Sequence, residues 1–576
     1  MAIFVRKNSK WHALTGAQVA KNGVFHTVKW NDKAYFGGIG YQSGFGTVEP
    51  VPPSSDVTPP TFNLDTEPTG TIWYITPTGA GTKDGTSWAN ASNNLPLLLL
   101  GCSAGDSVYI MEGEYSQANT LTIPDGVSIY GGFDTGGLWA DRDSFENHSK
   151  FVGTGTLFYC ETPAVGQIID GVSMSGYDEF TGNGNDISFK NIYVVDSTIT
   201  FYCDIGNCIF KNSAVVTSGS VSDCCFDNDT DKNIGIDGSA TNCSFNNCLT
   251  SQSQISLVGT TATDCLFNNC TTTYASLVGT TATDCTFYNC KTTGSSLSMI
   301  KTTATRCVFY GCVVLSNYSL AILRFIGTTA TDCTFYNCVI KMYESYTGDS
   351  HATSYIVGDD ATRCSFYNCE ATCFTTGTSQ YVGTYSGIVA QNATECLFCN
   401  CLITSSESSD SKAFIVGTTI TNCLIAFCKA SFLTKSGETS QFCTFIYNDG
   451  ALLATHTNCV AFNNSSSFTT NQTNCAQSVF HASNELTIGT DNSIAKFTSL
   501  PVYDSVGVQD AGDCPNPATD ETGFNAWVAS FGDYEPETTS FLKGKGVDIA
   551  EITTDLNNKT RLSPPTIGAC EAKGEV

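Results

Sequence analysis

A cysteine-bounded phrase that recurs along half the chain predicts an all-β molecule, a right-handed parallel β-helix solenoid. Three observations point there. The phrase reads Cys243-Ser-Phe-Asn-Asn-Cys248, Cys265-Leu-Phe-Asn-Asn-Cys270, Cys285-Thr-Phe-Tyr-Asn-Cys290 and Cys307-Val-Phe-Tyr-Gly-Cys312. It continues through Cys333, Cys364, Cys396 and Cys423, at intervals of 20 to 32 residues. An invariant core at a variable period means one coil per repeat, with the extra residues in loops. Second, Cys and Phe lie two apart, the period of a strand with one buried face. Third, the position before the second Cys is Asn in most copies, and Asn tolerates the left-handed backbone that a one-residue bend requires. Weaker copies are expected to start at Cys208, Cys225, Cys443 and Cys459.

Composition agrees. A chain of 576 residues is too long for one ordinary core. Only 14% of residues are charged, against roughly 25% in ordinary soluble domains, so Ser, Thr, Asn and Gly carry the surface. A net charge of −27 repels phosphate backbones and anionic lipid. Nucleic-acid binding and membrane insertion are therefore not expected. The first ten residues hold no apolar run of a signal peptide's length, which sets the expectation of folding in the cytosol. There, 29 cysteines at one place in a repeat read as small apolar core side chains before they read as disulfides or metal ligands. Cys-x4-Cys is not a zinc spacing, and the one Cys-x-x-Cys, Cys396 to Cys399, sends one thiol inward and the other outward. No metal or cofactor is expected.

In chain order, residues 1–46 form a β-hairpin segment. Val5-Arg-Lys-Asn-Ser-Lys-Trp11 returns as Val19-Ala-Lys-Asn-Gly-Val-Phe25, with Asn22-Gly23 as a hairpin turn. Hairpins this small must oligomerise or dock, as an anchor does. Residues 47–70 are a Pro-rich linker. Residues 71–155 enter the solenoid through alternating strands such as Gly105-Asp-Ser-Val-Tyr-Ile-Met111 and Ile123-Pro-Asp-Gly-Val-Ser-Ile-Tyr130. Residues 156–484 are the repeats, and 485–576 a C-terminal cap region.

The entry region, Trp139-Ala-Asp-Arg-Asp143, and the end Thr554-Asp-Leu-Asn-Asn-Lys-Thr-Arg561 with Ile567-Gly-Ala-Cys-Glu571 resemble the right-handed parallel β-helix family related to pectate lyases. The match is to its surface-protein branch, common in Bacteroides-type bacteria. It spans roughly residues 71 to 576, and the resemblance implies the fold without implying an activity. Members of that branch carry an export signal and a sorting module, which are not recognisable here. The Lys-Asn-Gly hairpins resemble instead the attachment segments of phage fibre proteins. That resemblance implies a virion protein assembled in host cytoplasm, contacting other virion proteins through residues 1–46, with a homotrimer expected by analogy.

Polysaccharide lyases of this fold need an acidic calcium cluster, and hydrolases a carboxylate pair about 5 to 9 Å apart. The residue before each first Cys points outward and reads Asn242, Asp264, Asp284, Arg306, Asp332, Arg363, Glu395, Asn422. Asp264 and Asp284 would stand about 5 Å apart on neighbouring coils, the one catalytic candidate. The bland reading is a solvated column whose repulsion Arg306 and Arg363 relieve. The residue after Phe also points outward and is Tyr in four successive copies: Tyr288, Tyr310, Tyr336 and Tyr367. Such a strip suits the flat faces of sugars, and the longest insertions, 313–325, 339–355, 370–387 and 402–413, flank it. Its bland reading is sheet stabilisation or packing against a sister subunit.

The expected function is therefore that of a phage head or tail fibre, a receptor-binding structural protein that holds host-surface glycan without cleaving it. A tailspike-type polysaccharide hydrolase or lyase is the alternative that needs the carboxylates. A bacterial cell-surface adhesin is the third.

Overall fold

The structure is a computed structural model. It describes the strand backbones between residues 3 and 28, residues 60–464 apart from short stretches, the strands between 472 and 497, and most of 543–571. Two antiparallel hairpins begin the chain. Ile3–Lys7 pairs with Lys10–Leu14, and Ala17–Lys21 pairs with Val24–Val28 across Asn22-Gly23. The predicted anchor, residues 1–46, and most of the linker otherwise lie outside the described residues.

From Ile72–Ile75 onward the chain winds as a parallel β-helix. Its first ladder stacks eighteen strands, from Ile72–Ile75 to Gln472–Thr473. At about 4.8 Å per coil these make a shaft roughly 80 Å long. In a typical coil the first strand, Thr281–Thr283, leads to a second, Thr286–Tyr288, and a third, Lys291–Thr293. Single residues turn the two corners. Asp284 has φ +55° and Asn289 has φ +50°, so the residue before each Cys is a left-handed bend, not only the Asn foreseen from sequence. From residue 298 the coils widen and a fourth ladder appears, running through Ile322–Ile326, His351–Val357, Gly383–Val389 and Lys412–Val416.

The core is columnar. Nine Phe rings, from Phe210 through Phe309 to Phe398, stack with successive centroids 4.7–5.0 Å apart and planes within 11°. The first cysteine column runs unbroken from Cys208 to Cys475. Each thiol donates to the carbonyl two residues back, as Cys285 does to Thr283 at 3.2 Å. Sulfurs also accept the backbone N–H of the coil before, as Cys333 does from Cys307 and Cys423 does from Cys396. A thiol here is therefore both an apolar filler and a weak hydrogen-bond partner for the ladder. Every described cysteine is a free thiol, and burial pushes Cys307, Cys333 and Cys364 up, away from thiolate.

One register differs from expectation. Cys224, not Cys225, holds the column, because Cys225 pairs across the ladder with Ser244 and stands beside the outward positions. The second cysteine column, Cys248 to Cys428, ends in amides that sequence reading missed. Asn228 accepts from Ser213 N at 3.0 Å, Asn448 from Cys428 N at 2.8 Å, and Asn464 from Asn448 N at 2.9 Å. The signal was present, since Cys443-x4-Asn448 and Cys459-x4-Asn464 keep the cysteine spacing.

Residues 95–100, an apolar run in the sequence, contain a short helix, Leu95–Leu99, capped by Asn94 and burying Leu95, Leu98 and Leu99 over the first coil. It closes one end of the core.

Candidate functional site: the outward columns of the shaft

The corner before the first cysteine column carries the carboxylates. In order it presents Asp223, Asn242, Asp264, Asp284, Arg306, Asp332, Arg363, Glu395, Asn422, Phe442 and Asn458, all with φ between +51° and +56°. Asp264 and Asp284 stand on neighbouring in-register coils, as the sequence expects, but Asp284 is engaged elsewhere. Arg306 Nε and Nη2 donate to its two oxygens at 2.6 Å each. Arg363 grips Asp332 in the same bidentate way, at 2.6 and 2.9 Å. Each pair raises the affinity of its guanidinium for the proton, chiefly through the hydrogen bond to the carboxylate. Asp223 accepts from Asn242 Nδ2 at 2.6 Å. A carboxylate clasped by Arg has both oxygens committed and turned from substrate, which suits neither a general acid nor a nucleophile. The bland reading of this column describes its geometry.

Both ends of the same column are covered by the chain's own segments. Near the start, Asn191 exchanges two bonds with the backbone of Asn63, at 3.0 and 3.3 Å, and Asn207 donates to Thr61 O at 2.9 Å. Near the finish, Asn458 makes the same two-bond exchange with Val547, at 2.7 and 2.8 Å, and Asn422 donates to Thr554 O. An amide side chain mimics a peptide edge, so Asn marks where an extended segment docks.

Beside each dock sits a buried arginine, supplied by the motifs at 139–143 and 554–571. Arg142 donates to Asp170 at 2.7 Å and to Gly131 O, among the rings of Trp139, Tyr130 and Phe62. Burial raises the Asp170 carboxyl against the opposing pull of Arg142. Arg561 pairs with Glu571 at 3.2 Å, donates to Asn422 Oδ1 at 2.8 Å, and lies 3.8 Å from the centre of the Phe442 ring. Burial lowers its proton affinity. Sequence reading named both motifs but assigned no role to these arginines.

The tyrosine column exists as expected. Tyr288 and Tyr310 stack at 5.0 Å, Tyr310 and Tyr336 are tilted at 6.3 Å, and Tyr336 and Tyr367 stack at 5.1 Å. Its exposure differs from the expectation. Tyr310 and Tyr367 are buried, at 5% and 8%, while Tyr288 and Tyr336 are half-buried. Burial pushes the Tyr336 hydroxyl up to about 12. Rings stacked this closely turn their faces to each other, leaving edges and hydroxyls at the margin. Cys399 continues the same outward column, in register with Tyr367, yet is buried, so it does not face solvent as its position suggested.

A second aromatic pair stands further out on the widened coils. Tyr343 and Phe374 stack at 6.2 Å and are 49% and 40% exposed. Lys341–Glu370, 2.8 Å apart, and the hydroxyl pair Thr372–Thr404, at 2.9 Å, lie on the same wall. Sequence reading missed this pair although each residue stands five after the second cysteine of its copy, Cys338 or Cys369, because that position lies in the variable insertions and not in the repeated phrase.

Among the described residues no helix is long and apolar enough to cross a membrane. No group of three or more His, Cys, Asp or Glu gathers there as metal ligands do.

No family model matches the chain, and no curated protein is similar to it. Solved structures overlap it loosely. The catalytic unit of a GH87 α-1,3-glucanase from Streptomyces thermodiastaticus is 11% identical over 62% of this chain and 69% of that one, with TM-score 0.31. PfbA, a surface adhesin of Streptococcus pneumoniae, is 10% identical over 70% and 94%, with TM-score 0.21. Pectate lyase Pel9A is 11% identical over 87% and 96%, with TM-score 0.14. At these values it is this chain's own coil geometry, not the overlap, that defines its fold.

Proposed function

We propose that this chain is the shaft of a virion fibre, a head or tail fibre that contacts host-surface glycan by binding and not by cleavage. The observation that carries the reading is the rigid aromatic wall. Tyr288 and Tyr336 offer ring edges, and Tyr343 and Phe374 offer open ring surface, on a sheet that cannot collapse around a ligand. The engagement of Asp284 by Arg306 and of Asp332 by Arg363 argues against catalysis on the corner column. A stiff shaft, free thiols suited to a reducing cytoplasm, and hairpins ahead of a Pro-rich linker fit a fibre assembled before release, attached through residues 1–46 and expected to be homotrimeric.

The test incubates the purified chain with a panel of bacterial capsular polysaccharides, following retention and the release of reducing ends together. Retention without release is expected. Release of reducing ends would replace the fibre reading with a tailspike-type depolymerase and direct attention to Asp264. Absence of any retention would remove glycan from the proposal.

A further inference from the structure

The phrase Gly-Thr-Thr-Ala-Thr-Asp, repeated before the cysteines, has no part in the glycan wall, yet it forms the most regular surface of the molecule. Its alternate residues point outward from the first ladder. Ala262, Ala282 and Ala304 face the core at 1% exposure, while Thr261, Thr263, Thr281, Thr283, Thr303 and Thr305 face out. The second of these threonine columns is unbroken for eight coils, from Thr241 to Thr421, with no register shift. At about 4.8 Å per coil that is roughly 34 Å of threonine.

Two further observations give the array a chemistry. Rotation from coil to coil is small, since the Phe287, Phe309, Phe335 and Phe366 rings, carried on the second ladder of the same coils, depart from parallel by only 4–5° per coil. Ordinary sheets rotate by about 20° per strand. The hydroxyls are also uncommitted: these six threonines make no side-chain hydrogen bond within the described residues, unlike Thr280, whose hydroxyl donates to Thr260 O at 2.7 Å. A grid with about 4.8 Å between coils and about 6.6 Å between alternate residues repeats on the scale of the oxygens in a face of hexagonal ice. Each grid point carries a methyl group, around which water orders, and a hydroxyl that can anchor that water. Charge stands at the rims of these three coils, in the corner column on one side and at Lys301 on the other, where the neighbouring copies carry Gly259 and Gly279, and the two threonine columns between them are uncharged.

We propose that the threonine face binds ordered water and, through it, the surface of ice. The occupant is a water lattice, so the site lies apart from the proposed glycan wall and stands whether or not glycan binds.

The full chain would be tested for ice-crystal shaping and thermal hysteresis, beside Thr283→Tyr in the centre of the face and Lys291→Tyr on the third ladder. Tyrosine suits strands, so both variants keep the sheet, and circular dichroism with a melting curve confirms it. Facetted crystals and a concentration-dependent hysteresis gap are expected from the native chain and from Lys291→Tyr, with most of both lost in Thr283→Tyr. Unmodified ice growth in the native chain, or hysteresis equal in both variants, overturns the proposal. So does retention on crystalline cellulose or chitin without any effect on ice, which would assign the grid to a solid glycan.

Discussion

Left-handed backbone costs an ordinary side chain about 1 kcal/mol or more, and much less for Asn. The corner column nevertheless places Arg306, Arg363 and Glu395 there. Arg306 and Arg363 recover part of that cost in their half-exposed ion pairs, which are worth at most about 1 kcal/mol after solvent screening. Glu395 has less. Burial raises its carboxyl above the ordinary glutamate value, and its neighbours Asp555 and Asp332 push the same way, against Arg363 and the Thr554 hydroxyl. A raised carboxyl stabilises the fold below the unfolded-chain value of about 4.3, and that contribution is lost as pH rises through the folded one. Glu395→Asn should therefore stabilise the chain by about 1 kcal/mol at neutral pH, with the gain shrinking toward pH 4. Urea midpoints at the two pH values check both parts. Asp284→Ala, by contrast, should shift the midpoint by less than about 1 kcal/mol.

At the scale of the element, the unit of stability is the column. Phe309 lies between rings on both sides at 4.7 and 4.8 Å, and Phe309→Ala should cost about 3–5 kcal/mol, read from chemical denaturation. Phe309→Leu should cost less, since it keeps most of the volume. The thiol columns behave as core of the same kind. Denatured without reductant, the chain should titrate close to its full 29 thiols, and a count near half of that would mean disulfides. Among the described cysteines only Cys102 is half-buried, and burial, with Asp106 nearby, pushes its thiol up to about 11, so native modification should be slow there too. In the tyrosine column Tyr336→Phe keeps the stack and removes a hydroxyl, whereas Tyr336→Ala breaks the stack. Loss of glycan retention in the first variant marks recognition; loss only in the second marks architecture.

Across the whole molecule, contacts are almost all between neighbouring coils, so the shaft behaves as a one-dimensional array that opens from its ends. The two buried arginines sit where that opening would start. Removing one member of a buried ion pair costs about 3–5 kcal/mol, because its partner is left charged and dry. In a one-dimensional array the damage is local. Arg561→Ala should lower hydrogen-exchange protection in the coils between residues 395 and 475 while those between 240 and 330 keep theirs. Arg142→Ala should loosen the opposite end. Uniform loss along the shaft would show that the coils open as one unit, contrary to this expectation.

Sequence alone determined the coil, because a parallel β-helix stacks identical positions, and stacking makes each column visible as a repeated letter. The Cys, Phe, Tyr and corner columns could all be read that way, and so could the threonine grid. Where a copy was degenerate the reading slipped: adjacent cysteines at 224 and 225 both fit the pattern, and only the ladder register with Cys243 and Ser244 chose between them. What the tertiary structure decided was everything that depends on neighbours far apart in the chain. The docking of residues 61–65 and 547–569 on one column, across sequence separations above 80, has no periodic trace. The same holds for the burial of Tyr310 and Tyr367, whereas the pairing of Asp284 with Arg306, neighbours in one column, was open to the periodic reading. Periodicity reports which residues share a column; exposure depends on what packs over it, and that is set only when distant segments meet.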